Sequence, residues 1–208
     1  MVTPHSSIAT LRCDNTSPET DSRLATHRLP GLAEARNEPS DTGAFERQWL
    51  RTLAHVLVEE VLELYQVEKM LGENLDAVAR AATEPLWRYL AQMHTRRTAG
   101  QLHRLDLVIE LLGQSPENRD CPEMERILIG LHETIAENTP GRPRDLALLA
   151  ATLKIKQRTI PGYCHARDYA QLLGVSPVAA ILQENLNEEI ALQKRLTELQ
   201  NLLNHPTA

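Results

Sequence analysis

Three segments of this 208-residue chain carry a strict alternation of three- and four-residue steps, and few folds can use that spacing. Leu57, Val61, Leu64, Glu68, Leu71, Leu75 and Val78 form one series. Leu149, Leu153, Lys156, Ile160 and Tyr163 form a second, and Val178, Leu182, Asn185, Glu189, Leu192, Leu196, Leu199 and Leu203 a third. Steps of three and four average to the helical period, so each series lies along one face of an α-helix. A fourth segment is less regular: Leu86, Leu90 and Met93 lead into Arg96 or Arg97, then Leu102 and Leu107.

The punctuation between these segments sets their limits. Thr83-Glu84-Pro85, Asp120-Cys121-Pro122 and Ser176-Pro177 place a capping residue close to a proline, as helix starts do. Gly113 and Gly174 each follow a Leu-Leu pair, as helix ends do. The reading is four long helices, near 44–82, 84–112, 144–173 and 177–203, with a shorter one near 122–137. Pro161 removes the amide that would bond the Gln157 carbonyl, so a kink is expected there. Two tight turns and one long crossover give two antiparallel pairs, the connectivity of ferritin-like bundles. The expected fold is therefore all-α: a ferritin-like four-helix bundle at 43–204 with an additional short crossover helix. A core drawn from Leu, Ile, Val and Ala, with only 3 % aromatic residues, suits packed helices. Residues 1–42 are rich in Ser, Thr, Pro, Asp and Asn without apolar period, and read as a disordered tail.

The helical faces carry an anomaly. Glu68, Lys156 and Glu189 interrupt apolar series near mid-bundle, with Arg96 or Arg97 at a similar level on the second helix. An ionised group taken out of water costs several kcal/mol even after relaxation, unless it is paired. Two carboxylates could hold a metal, or two acids and two bases could neutralise one another. A dimetal bundle site uses a Glu from each of two helices and Glu-x-x-His from the other two. No histidine here has an acid three residues before it, and His94, His103, His132 and His165 read as surface or boundary residues.

Other chemistries find less support. A net charge of −6 without a basic block disfavours nonspecific nucleic-acid binding. Three cysteines without CxxC spacing argue against a disulfide framework or a zinc site. Cys164 and His165 are neighbours on a helix, so their side chains diverge, and Cys164 reads as a small packed residue. No apolar run suits a signal peptide or a membrane span, and the expectation is a cytoplasmic protein without membrane contact.

"LYQVEKML" (64–71), "QLHRLDLVIELLG" (101–113), "CPEMER" (121–126), "PRDLALLAA" (143–151) and "LTEL" (196–199) resemble the ferritin-like YciE/YciF family, long described as a domain of unknown function. The resemblance covers about residues 45–203. It implies a five-helix, dimeric, stress-associated bacterial protein and, for several members, a carboxylate-bridged dimetal centre with peroxide-consuming chemistry. Glu68 and Glu189 match family carboxylates. Where the family tends to carry Glu-Glu-Thr on the second helix this chain has Arg96-Arg97-Thr98, and where it carries Val-Glu-His-Tyr-Glu on the third it has Ile155-Lys156-Gln157-Arg158-Thr159.

These substitutions lead to the expectation of a degenerate site at Glu68, Arg96, Lys156 and Glu189, in which the bases stand where metal charge would have been. On this reading Glu68→Ala strands a buried cation. The expected protein is non-catalytic and cofactor-free, and it acts through protein–protein contacts as a homodimer, with the N-terminal tail as a further docking segment. The alternative is a residual oxidoreductase in which Glu68, Glu125 and Glu189 hold iron or manganese.

Overall fold

The computed structural model describes residues 42–205; of the expected disordered tail over 1–42, only Thr42 lies in that range, where it begins a helix, and the rest of the tail and its expected docking role lie outside it. Five helices follow in order: α1 (Thr42–Ala81), α2 (Pro85–Leu111), α3 (Pro122–Glu137), α4 (Arg142–Leu172) and α5 (Ser176–Asn204). The later part of α1 packs with the start of α2, the start of α4 and the end of α5 in one apolar lobe, which includes Leu71, Leu75, Trp87, Leu90, Leu149, Leu192 and Leu196. Leu57, Val61, Leu105, Val108, Ala166, Leu182 and Leu186 build a second lobe from the opposite halves of the same helices. Hence α1 and α5 run one way and α2 and α4 the other, with α3 crossing between the two hairpins.

The helix ends show how local sequence becomes topology. Gly113 and Gly174 adopt φ of 68° and 71°, a left-handed conformation that a Cβ would strain. The amide that follows each glycine bonds back to a carbonyl five residues earlier: Gln114 to Ile109 and Val175 to Ala170. This pairing satisfies the orphaned carbonyls of a helix end and turns the chain sharply. Pro161 lies inside α4, which continues without interruption on both sides of it.

The expected side-chain caps are not what holds the helix starts. Glu84, Cys121, Gly141 and Val175 occupy the cap positions, and none of these side chains makes a capping hydrogen bond. The amides of the turn leading into α2 are instead bonded from another helix. The Asp145 carboxylate on α4 accepts from the Thr83 amide (3.0 Å) and the Glu84 amide (2.7 Å), and also from the Thr83 hydroxyl. Beside it, the Arg144 guanidinium donates to the Ala81 carbonyl at 2.5 Å, and Arg88 donates to the Ala82 carbonyl at 2.7 Å. Two adjacent residues of α4 thus satisfy both the end of α1 and the start of α2.

Asp145→Ala should lower stability by about 1–3 kcal/mol, because it leaves two amides unpaired in a half-buried turn. Urea unfolding checks the magnitude. Hydrogen exchange should show the loss of protection concentrated at Thr83 and Glu84.

Candidate functional site

Between the two apolar lobes lies a polar layer. Glu68 of α1, His94, Thr98 and Gln101 of α2, Lys156 and Thr159 of α4, and Asn185 and Glu189 of α5 are each at most 1 % exposed. Tyr163 of α4, at 0 %, joins them through its hydroxyl. The helical periods put these groups at one level. On α2 the inward series is Trp87, Ala91, His94, Thr98, Gln101, Leu105 and Val108, again in steps of four and three.

Lys156 is at the centre. Its Nζ donates to Glu189 Oε1 at 2.8 Å and Oε2 at 2.7 Å, and it lies 2.8 Å from His94 Nε2. A lysine ammonium has three N–H donors and no acceptor, so three acceptors saturate it. His94 Nε2 therefore accepts, and the ring proton sits on Nδ1. Burial, followed by the nearby Lys156 and Arg97 charges, holds the His94 pKa well below the usual imidazole range. The ring is neutral at neutral pH and free to serve as an acceptor.

The Glu189 carboxylate is equally well used. Oε1 also accepts from Gln101 Nε2 at 3.2 Å, and Oε2 from the Thr159 hydroxyl at 2.5 Å. Ion pair, amide and hydroxyl together supply the hydrogen bonds that a buried pair needs to offset its desolvation.

Glu68 differs. Its Oε1 accepts from Tyr163 at 3.2 Å, while Oε2 has no hydrogen-bond partner. Burial pushes its pKa up to about 8, repulsion from Glu189 adds to the rise, and Lys156, Tyr163 and Thr98 oppose it. Lys156 is already committed to Glu189, so Glu68 is carried as a neutral acid at pH 7. A short chain of bonds runs from this acid to the surface. Asn185 Nδ2 donates to the Tyr163 oxygen at 3.3 Å, Arg104 Nε donates to Asn185 Oδ1 at 2.5 Å, and Arg104 pairs with Glu184 and Glu188 in half-exposed positions.

Of the expected site residues, the structure brings Glu68, Lys156 and Glu189 into one layer and leaves two out. Arg96 is exposed, because the inward series of α2 passes through His94 and Thr98. Arg97 is half-buried, with one guanidinium nitrogen lacking a hydrogen-bond partner. Glu125 is exposed in the first turn of α3 and takes no part in the layer. His103, His132 and His165 are exposed as expected. His94 is a correction: expected at the surface or boundary, it is fully buried against Lys156. The expectation that Glu68→Ala would strand a buried cation is corrected as well, since the countercharge of Lys156 is Glu189.

Comparison with known proteins shows what the chain as a whole is similar to. A family profile described as a domain of unknown function (DUF892) matches residues 52–206. Protein YciF of Escherichia coli K12 is 30 % identical over 151 residues, which is 72 % of this chain and 91 % of that protein. The crystal structure described as that of the E. coli stress protein YciF superposes with a TM-score of 0.70 at 28 % identity, covering 74 % of this chain and 98 % of the other. YcfI from Rhodopseudomonas palustris gives a TM-score of 0.66 at 26 % identity, covering 70 % of this chain and 92 % of the other.

Two outcomes follow from the layer. Glu189→Leu strands the Lys156 ammonium and should cost about 3–5 kcal/mol, whereas Glu189→Leu combined with Lys156→Met should recover much of that loss; urea unfolding of the three proteins measures it. The second concerns pH. Glu68 keeps its proton in the folded state up to about 8, against a reference of 4.5, so its linkage lowers stability as pH rises through that interval. His94, neutral when folded and protonated below 6.5 when unfolded, has the opposite slope below 6.5. The two offset each other below 6.5, and Glu68 acts alone from 6.5 to 8, where it removes up to about 2 kcal/mol. Glu68→Gln should abolish that decline and expose the His94 slope below it, in denaturation measured from pH 5 to 8.5.

Proposed function

This chain belongs to the DUF892 family, and we propose that within it the protein is a non-catalytic, metal-free, ferritin-like interaction protein, homodimeric and associated with stress. The observation that supports this most is that Lys156 takes up the acceptors of His94 and Glu189. Both oxygens of Glu189 and the Nε2 lone pair of His94 point at one ammonium, and every member of the layer is sealed from solvent.

A pair of iron or manganese ions does not fit these residues. Such a centre needs several ionised carboxylates around two cations. The layer offers Glu189, which is already neutralised, and Glu68, which is held as a neutral acid. Adding metal charge beside an ammonium would be repulsive. Among the described residues, no group of three or more His, Cys, Asp or Glu side chains is arranged to hold a metal ion.

The surface supports an interaction role. Where α2 and α4 end, Leu111 and Leu172 are 56 % and 61 % exposed. Beside them runs a groove of about 700 Å³ whose apolar wall is Val58, Leu62, Leu112, Leu173 and Val175 and whose rim carries Glu59, Glu117 and Arg119. Apolar exposure of this kind marks contact surfaces on soluble proteins. No described helix is long and apolar enough to cross a membrane. The association with stress follows from the name given to the E. coli relative.

Full-length protein from cultures supplemented with iron and manganese should carry fewer than about 0.1 metal per chain by elemental mass spectrometry, and light scattering should give twice the 23.4 kDa chain mass. Leu111→Glu with Leu172→Glu should halve that mass. One or two metals per chain, with peroxide consumption above the buffer rate, would return the residual oxidoreductase reading.

A further inference from the structure

We propose that the groove at the paired ends of α2 and α4 is the docking site for a basic, leucine-bearing helical segment of a partner protein. The inference rests on the interaction reading above and names the chemistry of what that surface accepts.

The groove combines three features. Its apolar wall, formed by Val58, Leu62, Leu112, Leu173 and Val175, bounds about 700 Å³. That lies within the roughly 300–1,000 Å³ over which clefts engulf a ligand. Leu111, at its edge, is 56 % exposed, so the wall continues onto the surface.

The rim is acidic. Arg119 is the one Lys or Arg that lines it among the described residues, and Glu59 holds that guanidinium through hydrogen bonds of 2.6 and 3.1 Å. Glu117 stands 3.9 Å from the same guanidinium and is 68 % exposed, so most of its charge faces solvent. Glu110, exposed in the last turn of α2, adds a further acid nearby.

The third feature is helix direction. α2 and α4 run the same way, and their C-terminal caps, Leu112 and Leu173, both line the groove. A helix C-terminus carries about half a negative charge, which a Lys or Arg in the last turn complements. Neither helix has a basic residue there. Two negative helix ends and an acidic rim thus surround an apolar wall, opposed by one arginine.

That combination selects the occupant. Anionic lipid surfaces and nucleic acid would be repelled by the rim and by the helix ends. A helix with leucines at steps of three and four lays its apolar face on the wall. Lysines or arginines flanking those leucines meet Glu117, Glu110 and the two helix ends, which fixes orientation and rejects acidic competitors.

The probe is a fluorescein-labelled 16-residue helical peptide with leucines at that spacing and lysines flanking them, titrated against the full-length protein by anisotropy. It should bind one per chain, while the same peptide with glutamate for every lysine should not bind. Glu117→Lys should weaken the lysine peptide at least tenfold. Val175→Asn removes part of the wall yet supplies a favoured residue at the cap of α5, and it should weaken binding at least fivefold with the helical circular dichroism intact. Glu198→Lys, an equal charge change at an exposed site on α5 that does not line the groove, should leave affinity unchanged. The proposal is overturned if the lysine peptide does not bind, if the glutamate peptide binds as well, or if either groove variant keeps full affinity. Equal weakening by Glu198→Lys and Glu117→Lys would also overturn it, as attraction to overall charge. Light scattering separates the readings. A doubled mass without peptide binding rejects this inference alone, and peptide binding to a single chain rejects the homodimer alone. A doubled mass that the peptide halves would make a second copy the groove's occupant and overturn the inference.

Discussion

The midplane of this bundle depends on one ion pair placed where water does not reach. Lys156 and Glu189 sit at 0 % and 1 % side-chain exposure, and every atom that either could leave unpaired is met by a neighbour. That requirement explains the residue types around them. His94 must be neutral so that Nε2 can accept, Thr159 and Gln101 must donate to the carboxylate, and Glu68 must keep its proton because no cation is left for it. Several otherwise odd choices in a leucine-rich core follow from one desolvated charge.

The same economy governs the end of the bundle. Asp145 and Arg144 are also charged and buried, and they too are spent on groups that would otherwise be orphaned, here the backbone of the turn between α1 and α2. In both places a polar side chain from α4 completes structure on other helices.

Most of the fold was legible because leucines mark the inward face. The series through Leu57 to Val78 and Val178 to Leu199 is buried as read, including Glu68, Asn185 and Glu189. The second helix misled because its inward face is polar at mid-length. Leu86 and Leu107 drew the reading toward an exposed face, whereas Trp87, Ala91, His94, Thr98, Gln101, Leu105 and Val108 hold the strict spacing. Following the period instead of the hydrophobicity would have found His94 and excluded Arg96. Which acid pairs with Lys156 was not legible, since Glu68 and Glu189 sit at equivalent positions on their own helices and only the packing between helices distinguishes them. The capping by Asp145 was hidden for the same reason: its partners are 61 and 62 residues away.

The polar layer also divides the core in two, and this bears on how the helices align along their length. Leucine faces are forgiving: a helix displaced by one turn meets another leucine at nearly the same cost. A layer with one lysine on α4 and its acceptors on α2 and α5 is not forgiving, because a shift of about 5.4 Å would set an ammonium against hydrocarbon and a carboxylate against another. The charged layer therefore acts as a vernier, setting the axial register that two lobes of interchangeable side chains leave undefined.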